Sequence, residues 1–378
     1  MRKPRTGFIL IGITAALCLT MFVYFDKRER NLVNMILRQN HAASDTHDPI
    51  FVDKTRNSNI KYSRDENMDD EEKWNNDQSA SEKYSRNVLV DKGINLKLQL
   101  PLKGQTFNPV VRGFVEQLKR KGEVAKDVEI ENIGQYAKSH LQLRDTDLNA
   151  KELKNIKNCK ASSKQDYQKN YGAFFGGDHG RLQNIRRTHH SYLDETKFMI
   201  EVGGNWGWDA GNFSKLYNMN YLILEPLTPY TDILEKKFAG NEKVSIYNIG
   251  LGSDNEVVMV NLEGNNACAT TKFSKKNGTV PIYIVNAIDF LTDLGVGVYE
   301  LDLLTMNCEG CEFEVLETLV KSNLIERIRN IQWATHTQVS IPNPWERYCR
   351  IHELLKRTHR PTYQYKFNWE SWRRKDIK

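Results

Sequence analysis

A glycine-rich stretch that begins with an acidic residue carries the clearest chemistry in the sequence. The segment EVGGNWGWDAGNF starts at Glu201 and follows the apolar run KFMI. Glycines in such a position let the backbone turn tightly and approach a ligand closely. Because the apolar run predicts a buried strand, the stretch predicts a ligand-binding loop at the end of that strand.

The spacing of these glycines disfavours a loop that cradles phosphate. A dinucleotide loop requires G-x-G-x-x-G, but counting from Gly203 the third position is Asn205. A P-loop requires Lys and Ser/Thr after its glycines, and no lysine lies between Gly203 and Ser214. An NAD-dependent oxidoreductase is therefore the weaker alternative.

The pattern that remains is acidic-x-Gly-x-x-x-Gly, formed by Glu201, Gly203 and Gly207. It resembles the first strand and loop of S-adenosylmethionine-dependent methyltransferases. The resemblance implies that the two glycines clear space for the methionine and adenosine portions of that cofactor. It also implies that Glu201 faces the cationic end of the cofactor.

A second acidic residue, Glu225, ends the next predicted strand in YLILEP. A carboxylate in that position can accept two hydrogen bonds from the vicinal hydroxyls of a ribose. Asn205 and Asn248 are candidates for further polar contacts, although each is equally suited to satisfying a local turn. The sequence thus predicts one adenosine-binding cleft at the carboxyl ends of neighbouring strands.

Strand and helix signals alternate from about residue 195 onward. Strands separated by helices predict parallel pairing with right-handed crossovers. Two further alternating runs, EVVMVNLEG and VPIYIVNAI, lie between the third and fourth core strands and predict two extra strands. The predicted fold is α/β, a doubly wound Rossmann-like methyltransferase sheet with an inserted β-hairpin. The aromatic tail YQYKFNWESWRR predicts a packed strand or hairpin, with stacking on a sugar as the alternative.

The segments MIEVGGNWGWDAGNF, YLILEP, NIGLGS, VNAIDFL and LDLLTMNCEGCEFEVLETL resemble those of FkbM-type methyltransferases in order and spacing. The resemblance covers about residues 195–340 and implies the cofactor S-adenosylmethionine and transfer to a hydroxyl oxygen, often of a sugar. Glu309, Gly310 and Glu312 match the family's Asp-x-Glu-Gly-x-Glu run. Asn307 stands where the family usually has Asp, and Thr305 where Lys is common.

Methyl transfer to a hydroxyl requires alignment of the acceptor and removal of its proton. Glu309 and His336 are the candidate bases, and histidine has the better intrinsic pKa. Asn307 can still donate and accept hydrogen bonds at the edge of the cleft. The expected function is O-methylation of a glycan or related small molecule. The alternative is a catalytically silent binding module of the same fold, which the departures at Asn307 and Thr305 favour.

The N-terminus predicts a membrane anchor. Residues 7–25 form an uncharged stretch long enough to span a bilayer, and the run ends in MFVYF rather than in small residues suited to cleavage. An uncleaved signal anchor is therefore favoured over a signal peptide. Basic residues flank both sides, so the short tail of residues 1–6 is the reason to expect a type II protein of the Golgi or endoplasmic reticulum with a lumenal body.

The remaining boundaries follow from composition. Residues 26–86 are polar and predict a disordered stem. Residues 87–150 predict a linker or accessory lobe with one helix in NPVVRGFVEQLKRKG, and residues 151–378 the catalytic domain. The Gly-rich stretch FFGGDHGRL predicts a plain turn before the first core strand, with an active-site cover as the alternative.

The net charge of +6 is dispersed, and no Lys/Arg tract with interleaved aromatic residues predicts nucleic-acid binding. Cys308 and Cys311 form a C-x-x-C without a second ligand pair, so no metal site is expected. Two sequons, at Asn212 and Asn277, can carry glycan if the body is lumenal.

Overall fold

The computed structural model describes residues 107–175, 179–262, 270–274 and 278–377. The predicted tail, anchor and stem, together with Cys18, Cys268, Asp178 and Asn277, lie outside these residues. Within the described ranges, no helix combines the length and the apolar character needed to cross a bilayer.

Ten strands form two sheets, a large sheet of seven strands and a small sheet of three. The strands are β1 Phe198–Val202, β2 Asn220–Leu224, β3 Val244–Tyr247, β4 Gly250–Gly252, β5 Glu256–Val260, β6 Val280–Asn286, β7 Leu303–Met306, β8 Asn330–Ala334, β9 His359–Tyr365 and β10 Trp369–Arg374. The large sheet has the order β3-β2-β1-β7-β8-β10-β9.

Nine α-helices connect or cover these strands in the described part of the chain. They are α1 Pro109–Lys121, α2 Ile133–Ser139, α3 Ala150–Phe175, α4 His179–Thr188, α5 Trp208–Tyr217, α6 Thr228–Lys237, α7 Ala287–Asp293, α8 Cys311–Leu319 and α9 Pro344–Leu355. The first five strands of the large sheet in chain order, β1, β2, β3, β7 and β8, pair in parallel. The chain winds outward from β1 to β3 and then returns to β7 on the other side, which makes the sheet doubly wound as predicted.

The C-terminal strands form the hairpin that the aromatic tail predicts. β10 lies between β8 and β9 and is antiparallel to both. This hairpin distinguishes the sheet from the 3-2-1-4-5-6 order of dinucleotide-binding folds. Its buried Trp372 stacks on Trp333 of β8, with ring centroids 6.1 Å apart.

The predicted inserted hairpin is present in the small sheet. β5 and β6 pair antiparallel, and β4 adds to β6 in parallel. The short β4 follows directly on β3 where the sequence predicts one continuous third strand. The insertion thus forms a separate small sheet beside the cleft described below.

Helix α1 packs into the main core and does not form a separate lobe. Asn108 caps its first turn by accepting hydrogen bonds from the amides of Val110 and Val111. Phe114 of α1 is buried and stacks on Phe198 of β1 at 5.1 Å between ring centroids. The described part of the segment predicted as a linker or lobe therefore contributes to the hydrophobic core of the main domain.

Helix α3 is the largest element that the sequence did not predict. It spans 26 residues but buries only Ile156, Ser163 and Phe174, so its apolar period is weak. A disulfide between Cys159 and Cys349 joins it to α9. The predicted Gly-rich turn lies partly outside the described residues, and α4 begins at His179 within it.

Candidate functional site

A cleft opens at the carboxyl ends of β1, β2 and β7, where the direction of winding reverses. Ligands of open α/β sheets bind at this type of position. The cleft has a volume of about 210 Å³. Its lining residues are Arg186, Glu201, Gly203, Gly204, Asn205, Trp206, Trp208, Asp209, Glu225, Pro226, Leu227, Thr270, Ile282, Asn307, Cys308 and Glu309.

Glu201 lies at the end of β1, where its carboxylate is almost fully buried. The hydroxyl of Tyr221 on β2 donates a hydrogen bond to it. Burial raises the pKa of Glu201 to about 7, against the lowering effect of that hydrogen bond. Thr305, at which the FkbM resemblance implies Lys, is the register partner of Glu201 on β7. A cationic ligand beside Glu201 would favour the ionised form of this carboxylate and so offset the effect of burial on its pKa.

Glu225 follows β2 and is 4% exposed. Its two carboxylate oxygens accept hydrogen bonds from the backbone amides of Asn205, at 2.7 Å, and of Leu227, at 2.9 Å. Burial raises the pKa of Glu225 to about 7, while these two hydrogen bonds lower it. A carboxylate has about four acceptor positions, so Glu225 can still accept hydrogen bonds from a ligand. Its position fits the ribose-binding role that the sequence predicts.

The structure shows why position 203 requires glycine, and the requirement differs from the one that the sequence predicted. Its φ of +94° is in the left-handed region, and a Cβ added to it would lie 2.1 Å from the backbone oxygen of Asn307. The missing side chain thus makes room for the neighbouring strand end, whereas the sequence predicted that it makes room for a cofactor.

Gly207, unlike Gly203, lies outside the lining residues. It precedes α5 with a φ of +69°, and a Cβ there would meet Leu234 at 2.7 Å. The missing side chain of Gly207 therefore makes room for the packing of α6, whereas the sequence predicted that it makes room for the cofactor.

The two predicted asparagines have different positions. Asn205 lines the cleft with a φ of +44°, and its amide binds Glu225. Asn248 lies outside the lining, and its side-chain amide donates to the carbonyl of Glu225 and to the hydroxyl of Thr231. The structure therefore gives Asn248 the turn-satisfying role that the sequence left as one of two alternatives.

The run after β7 brings three predicted residues to one corner. Asn307 and Glu309 line the cleft, and Glu309 adopts a φ of +52°. The Nε2 atom of His336, which follows β8, lies 3.3 Å from a carboxylate oxygen of Glu309. On the other side of the ring, Nδ1 lies 2.9 Å from Glu312. His336 is therefore held between two carboxylates.

The two carboxylates determine the protonation state of the His336 ring. Burial by itself lowers the pKa of the ring, but the charge of Glu312 and the hydrogen bonds to Glu309 and Glu312 raise it to about 10. An imidazole with this pKa is protonated at neutral pH and cannot accept a proton from a substrate. The structure thus argues against His336 as the general base and leaves Glu309 as the other predicted candidate.

The sequence missed a cation in the cleft. Among the lining residues that the structure describes, Arg186 of α4 is the one that carries a permanent positive charge. Asp209 accepts hydrogen bonds from both Arg186 and Arg187, and the guanidinium of Arg186 lies 4.9 Å from the ring centroid of Trp369. Because α4 precedes the first core strand, no strand-end rule pointed to this residue.

The cleft also has an apolar wall. Trp206, Pro226, Leu227 and Ile282 line one side, and Trp206 packs edge-on against Tyr230 at 5.2 Å between ring centroids. A flat apolar ring is the type of group that such a wall accommodates.

Two cysteines lie beside the cleft, and they are joined to each other. Cys308 and Cys311 form a disulfide. Within the described residues, no group of three or more His, Cys, Asp or Glu side chains is arranged to hold a metal ion.

Comparison with solved structures finds methyltransferases at low sequence identity. A methyltransferase FkbM from Methylobacillus flagellatus KT is 11% identical with a TM-score of 0.34, over 69% of this chain and 70% of that one. A 1,6-didemethyltoxoflavin-N1-methyltransferase from Burkholderia thailandensis, solved with S-adenosylhomocysteine, is 12% identical with a TM-score of 0.27, over 62% and 95% of the two chains. The N-terminal domain of human METTL16 with the same ligand is 12% identical with a TM-score of 0.26, over 65% and 94%.

No family model matches the chain, and no curated protein matches it. Because the structural similarities are this distant, we base the functional proposal on the residues of the cleft.

The contact at Gly203 yields a test with a matched control. Gly203→Ala forces both a left-handed alanine and a clash with the backbone of Asn307, so we expect it to lower the free energy of unfolding by at least about 3 kcal/mol. Gly122→Ala has the same left-handed requirement, with a φ of +75°, but nothing lies within 4 Å of the added Cβ. It should cost only about 1–2 kcal/mol. Chemical denaturation measures both, and equal losses would contradict the proposed contact.

The pKa of His336 yields a pH test. Its folded-state value of about 10 exceeds the ordinary value of 6.5. The resulting stabilisation is therefore fully present below pH 6.5 and is lost as the pH rises through about 10. We expect the difference in unfolding free energy between the parent and His336→Gln to stay constant below pH 6.5 and to shrink from there to pH 10. Nitrogen NMR at pH 8 should find both ring nitrogens protonated, and a neutral ring there would refute the assignment.

Proposed function

We propose that this cleft binds S-adenosylmethionine and that the protein transfers a methyl group to a hydroxyl oxygen of a glycan or related small molecule. The observation that carries the proposal is the placement of Glu225. Its buried carboxylate, with acceptor positions to spare, shares one cleft with the guanidinium of Arg186 and with an apolar wall. These three features fit a ribose, a carboxylate and an adenine ring, respectively.

The lining residues would divide the ligand between them. The wall formed by Trp206, Leu227 and Ile282 suits the adenine ring, and Glu225 suits the ribose hydroxyls. Glu201 suits the cationic groups of the ligand because it places a carboxylate beside them. Arg186 suits the α-carboxylate, since a buried carboxylate requires a charge-assisted partner.

Glu309 is the residue of this chain that we assign to proton removal. S-adenosylmethionine, when bound, supplies an electrophilic methyl group. Glu309 lines the cleft, and its carboxylate would take the proton of an acceptor hydroxyl as the hydroxyl oxygen is methylated. The protonated ring of His336 would orient this carboxylate, and Asn307 can donate a hydrogen bond to the acceptor. The acceptor that we propose is a hydroxyl-bearing glycan or related small molecule.

A second candidate is a module that binds the cofactor without transferring the methyl group. Asn307 favours it, because an amide replaces the carboxylate that the FkbM resemblance implies at the edge of the cleft. Incubating the protein with tritium-labelled S-adenosylmethionine and a mixed glycan pool distinguishes the two. Labelled glycan favours the enzyme, whereas binding without any labelled product favours the module.

The division of the ligand yields a test by calorimetric titration of the full chain. We expect Arg186→Met to lower the affinity for S-adenosylhomocysteine by about 10- to 150-fold, because the substitution removes a charge-assisted hydrogen bond worth about 1.5–3 kcal/mol. The same variant should bind 5′-methylthioadenosine as the parent does, because that ligand has no carboxylate. Glu225→Gln should lower the affinity for both ligands, since both contain the ribose.

Two controls make this test decisive. Arg187→Met removes the other partner of Asp209 without changing a lining residue, so S-adenosylhomocysteine should bind it nearly as it binds the parent. Glu225→Gln is preferable to Glu225→Ala because Gln retains an acceptor for one of the two backbone amides. Equal weakening of both ligands by Arg186→Met would refute the carboxylate assignment, and binding of NAD but of neither adenosine ligand would refute the cofactor.

We also propose that the body is lumenal, anchored by residues 7–25 in the Golgi or endoplasmic reticulum. The disulfide between Cys159 and Cys349 supports this placement, because stable disulfides form in oxidising compartments and are rare in the cytosol.

The sequons test the lumenal placement. Asn277 should carry a glycan, seen as a glycosidase-sensitive mass shift that Asn277→Gln abolishes. Asn212 should stay unmodified because it lies on α5, where its amide binds the carbonyl of Trp208. Digestion of the body by protease added outside sealed microsomes would contradict the placement.

A further inference from the structure

The disulfide between Cys308 and Cys311 lies at the wall of the cleft, and the proposed function does not use it. Cys308 is a half-buried lining residue of the cleft. Cys311 is the first residue of α8 and is 6% exposed. The two sulfurs therefore differ in access and in their position relative to a helix.

This difference suits thiol–disulfide exchange. An incoming thiolate can reach the sulfur of Cys308 through the cleft. The sulfur of Cys311 then leaves as a thiolate at a helix N-terminus, where the helix dipole stabilises its negative charge. The carboxylate of Glu312 lies 3.5 Å from the sulfur of Cys308 and opposes the approach of a negative charge there, but the protonated ring of His336 is bound to that carboxylate and offsets its charge.

The other disulfide that the structure describes also joins a half-buried residue, Cys159, to a buried one, but it does not lie at a helix terminus. Cys159 lies within α3 and Cys349 within α9, away from the ends of both helices. Cys349 is 1% exposed, and both sulfurs lie where the two helices pack. No helix terminus stabilises a leaving thiolate there, and neither residue lines the cleft.

We propose that Cys308 and Cys311 form a thiol–disulfide exchange site that responds to small-molecule thiols such as glutathione. A thiolate attacks the sulfur of Cys308, the bond between the two cysteines breaks, and Cys311 leaves as a thiolate that takes a proton from water. A second small-molecule thiolate attacks the mixed disulfide and releases Cys308. The protein disulfide gains two electrons, and two thiols are oxidised to one small-molecule disulfide.

The exchange would act on the corner of the cleft that contains Glu309. The disulfide closes a ring around Glu309 and Gly310, whose φ angles of +52° and +108° are both left-handed. Such a conformation is unfavourable for a non-glycine residue. When the disulfide is open, this turn retains hydrogen bonds from Thr271 to the Glu309 carbonyl, from the Gly310 amide to Glu312 and from the Cys311 amide to the Cys308 carbonyl, together with the contact between His336 and Glu309.

We therefore expect reduction to loosen Glu309 beside the cleft and to weaken ligand binding there. This consequence rests on the proposed function, whereas the exchange itself does not.

Differential labelling of the full chain tests the exchange site. The protein is incubated in glutathione buffers of graded redox ratio, quenched with acid, alkylated and mapped by peptide mass spectrometry. Cys308 and Cys311 should become alkylated together, at a rate on the order of tenfold or more above that of Cys159 and Cys349. Equal rates for the two disulfides, or slower opening of Cys308–Cys311, would overturn the proposal.

Single substitutions test the order of attack. Cys311→Ser leaves Cys308 without its partner and should accumulate a mixed disulfide with glutathione at Cys308. Cys308→Ser should form less of the corresponding adduct at Cys311, because that sulfur is buried. The reverse order of adduct formation would contradict attack through the cleft.

The effect on the cleft is measured separately. Calorimetric titration with S-adenosylhomocysteine should show tighter binding to the oxidised protein than to the reduced protein, and the variant with both cysteines changed to Ser should match the reduced form under all conditions. Equal affinity in both redox states would overturn the regulatory consequence. Binding in neither state would overturn the proposed function, and the labelling result would then decide the exchange site by itself.

Discussion

The position of the cleft depends on a close backbone contact between the ends of two neighbouring parallel strands. Gly203, directly after β1, has no side chain, and the carbonyl of Asn307 after β7 occupies the space where a Cβ would lie. The amide of Asn307 donates to the carbonyl of Val202, and the amide of Gly203 donates to the carbonyl of Leu224. The ends of β1, β2 and β7 are thereby fixed together. This junction therefore fixes the positions of the side chains at these strand ends that we assign to ligand binding.

The charges of the cleft favour a ligand that is cationic with one anionic group. Glu201, Glu225, Glu309 and Asp209 contribute carboxylates to the lining, and Arg186 contributes the guanidinium. The raised pKa values of Glu201 and Glu225 reflect the cost of burying these charges. A sulfonium with an amino-acid group complements this pattern. The pyrophosphate of a dinucleotide would meet carboxylates instead, which agrees with the glycine spacing of the loop.

Sequence patterns predicted the parts of the site that follow strands. Glu201 and Glu225 each end an apolar run, and the carboxyl ends of parallel strands meet at one edge of a sheet. Arg186 could not be found in this way, because it lies on a helix before the first core strand and reaches the cleft only through packing. The roles of the glycines were also out of reach, since a clash with Asn307 depends on the register of β7 against β1.

The protonation of His336 shows a second limit. Its position after a core strand suggested a base, and the sequence contains the two carboxylates that bind it. Whether they approach the ring depends on the start of α8 and on the turn at Glu309 and Gly310, which are tertiary features. Helix α3 was missed for a different reason: it buries few residues, so its sequence lacks an apolar stripe. Its disulfide to Cys349 joins residues 190 positions apart, which no local pattern encodes.

A crystal structure of the protein grown with S-adenosylhomocysteine would show directly whether the cleft binds the ligand. We expect the ligand in the cleft between β1, β2 and β7, with both ribose hydroxyls within hydrogen-bond distance of Glu225 and the α-carboxylate bound to Arg186. A structure in which the ligand binds elsewhere, or binds in the cleft with its ribose away from Glu225, would contradict this expectation.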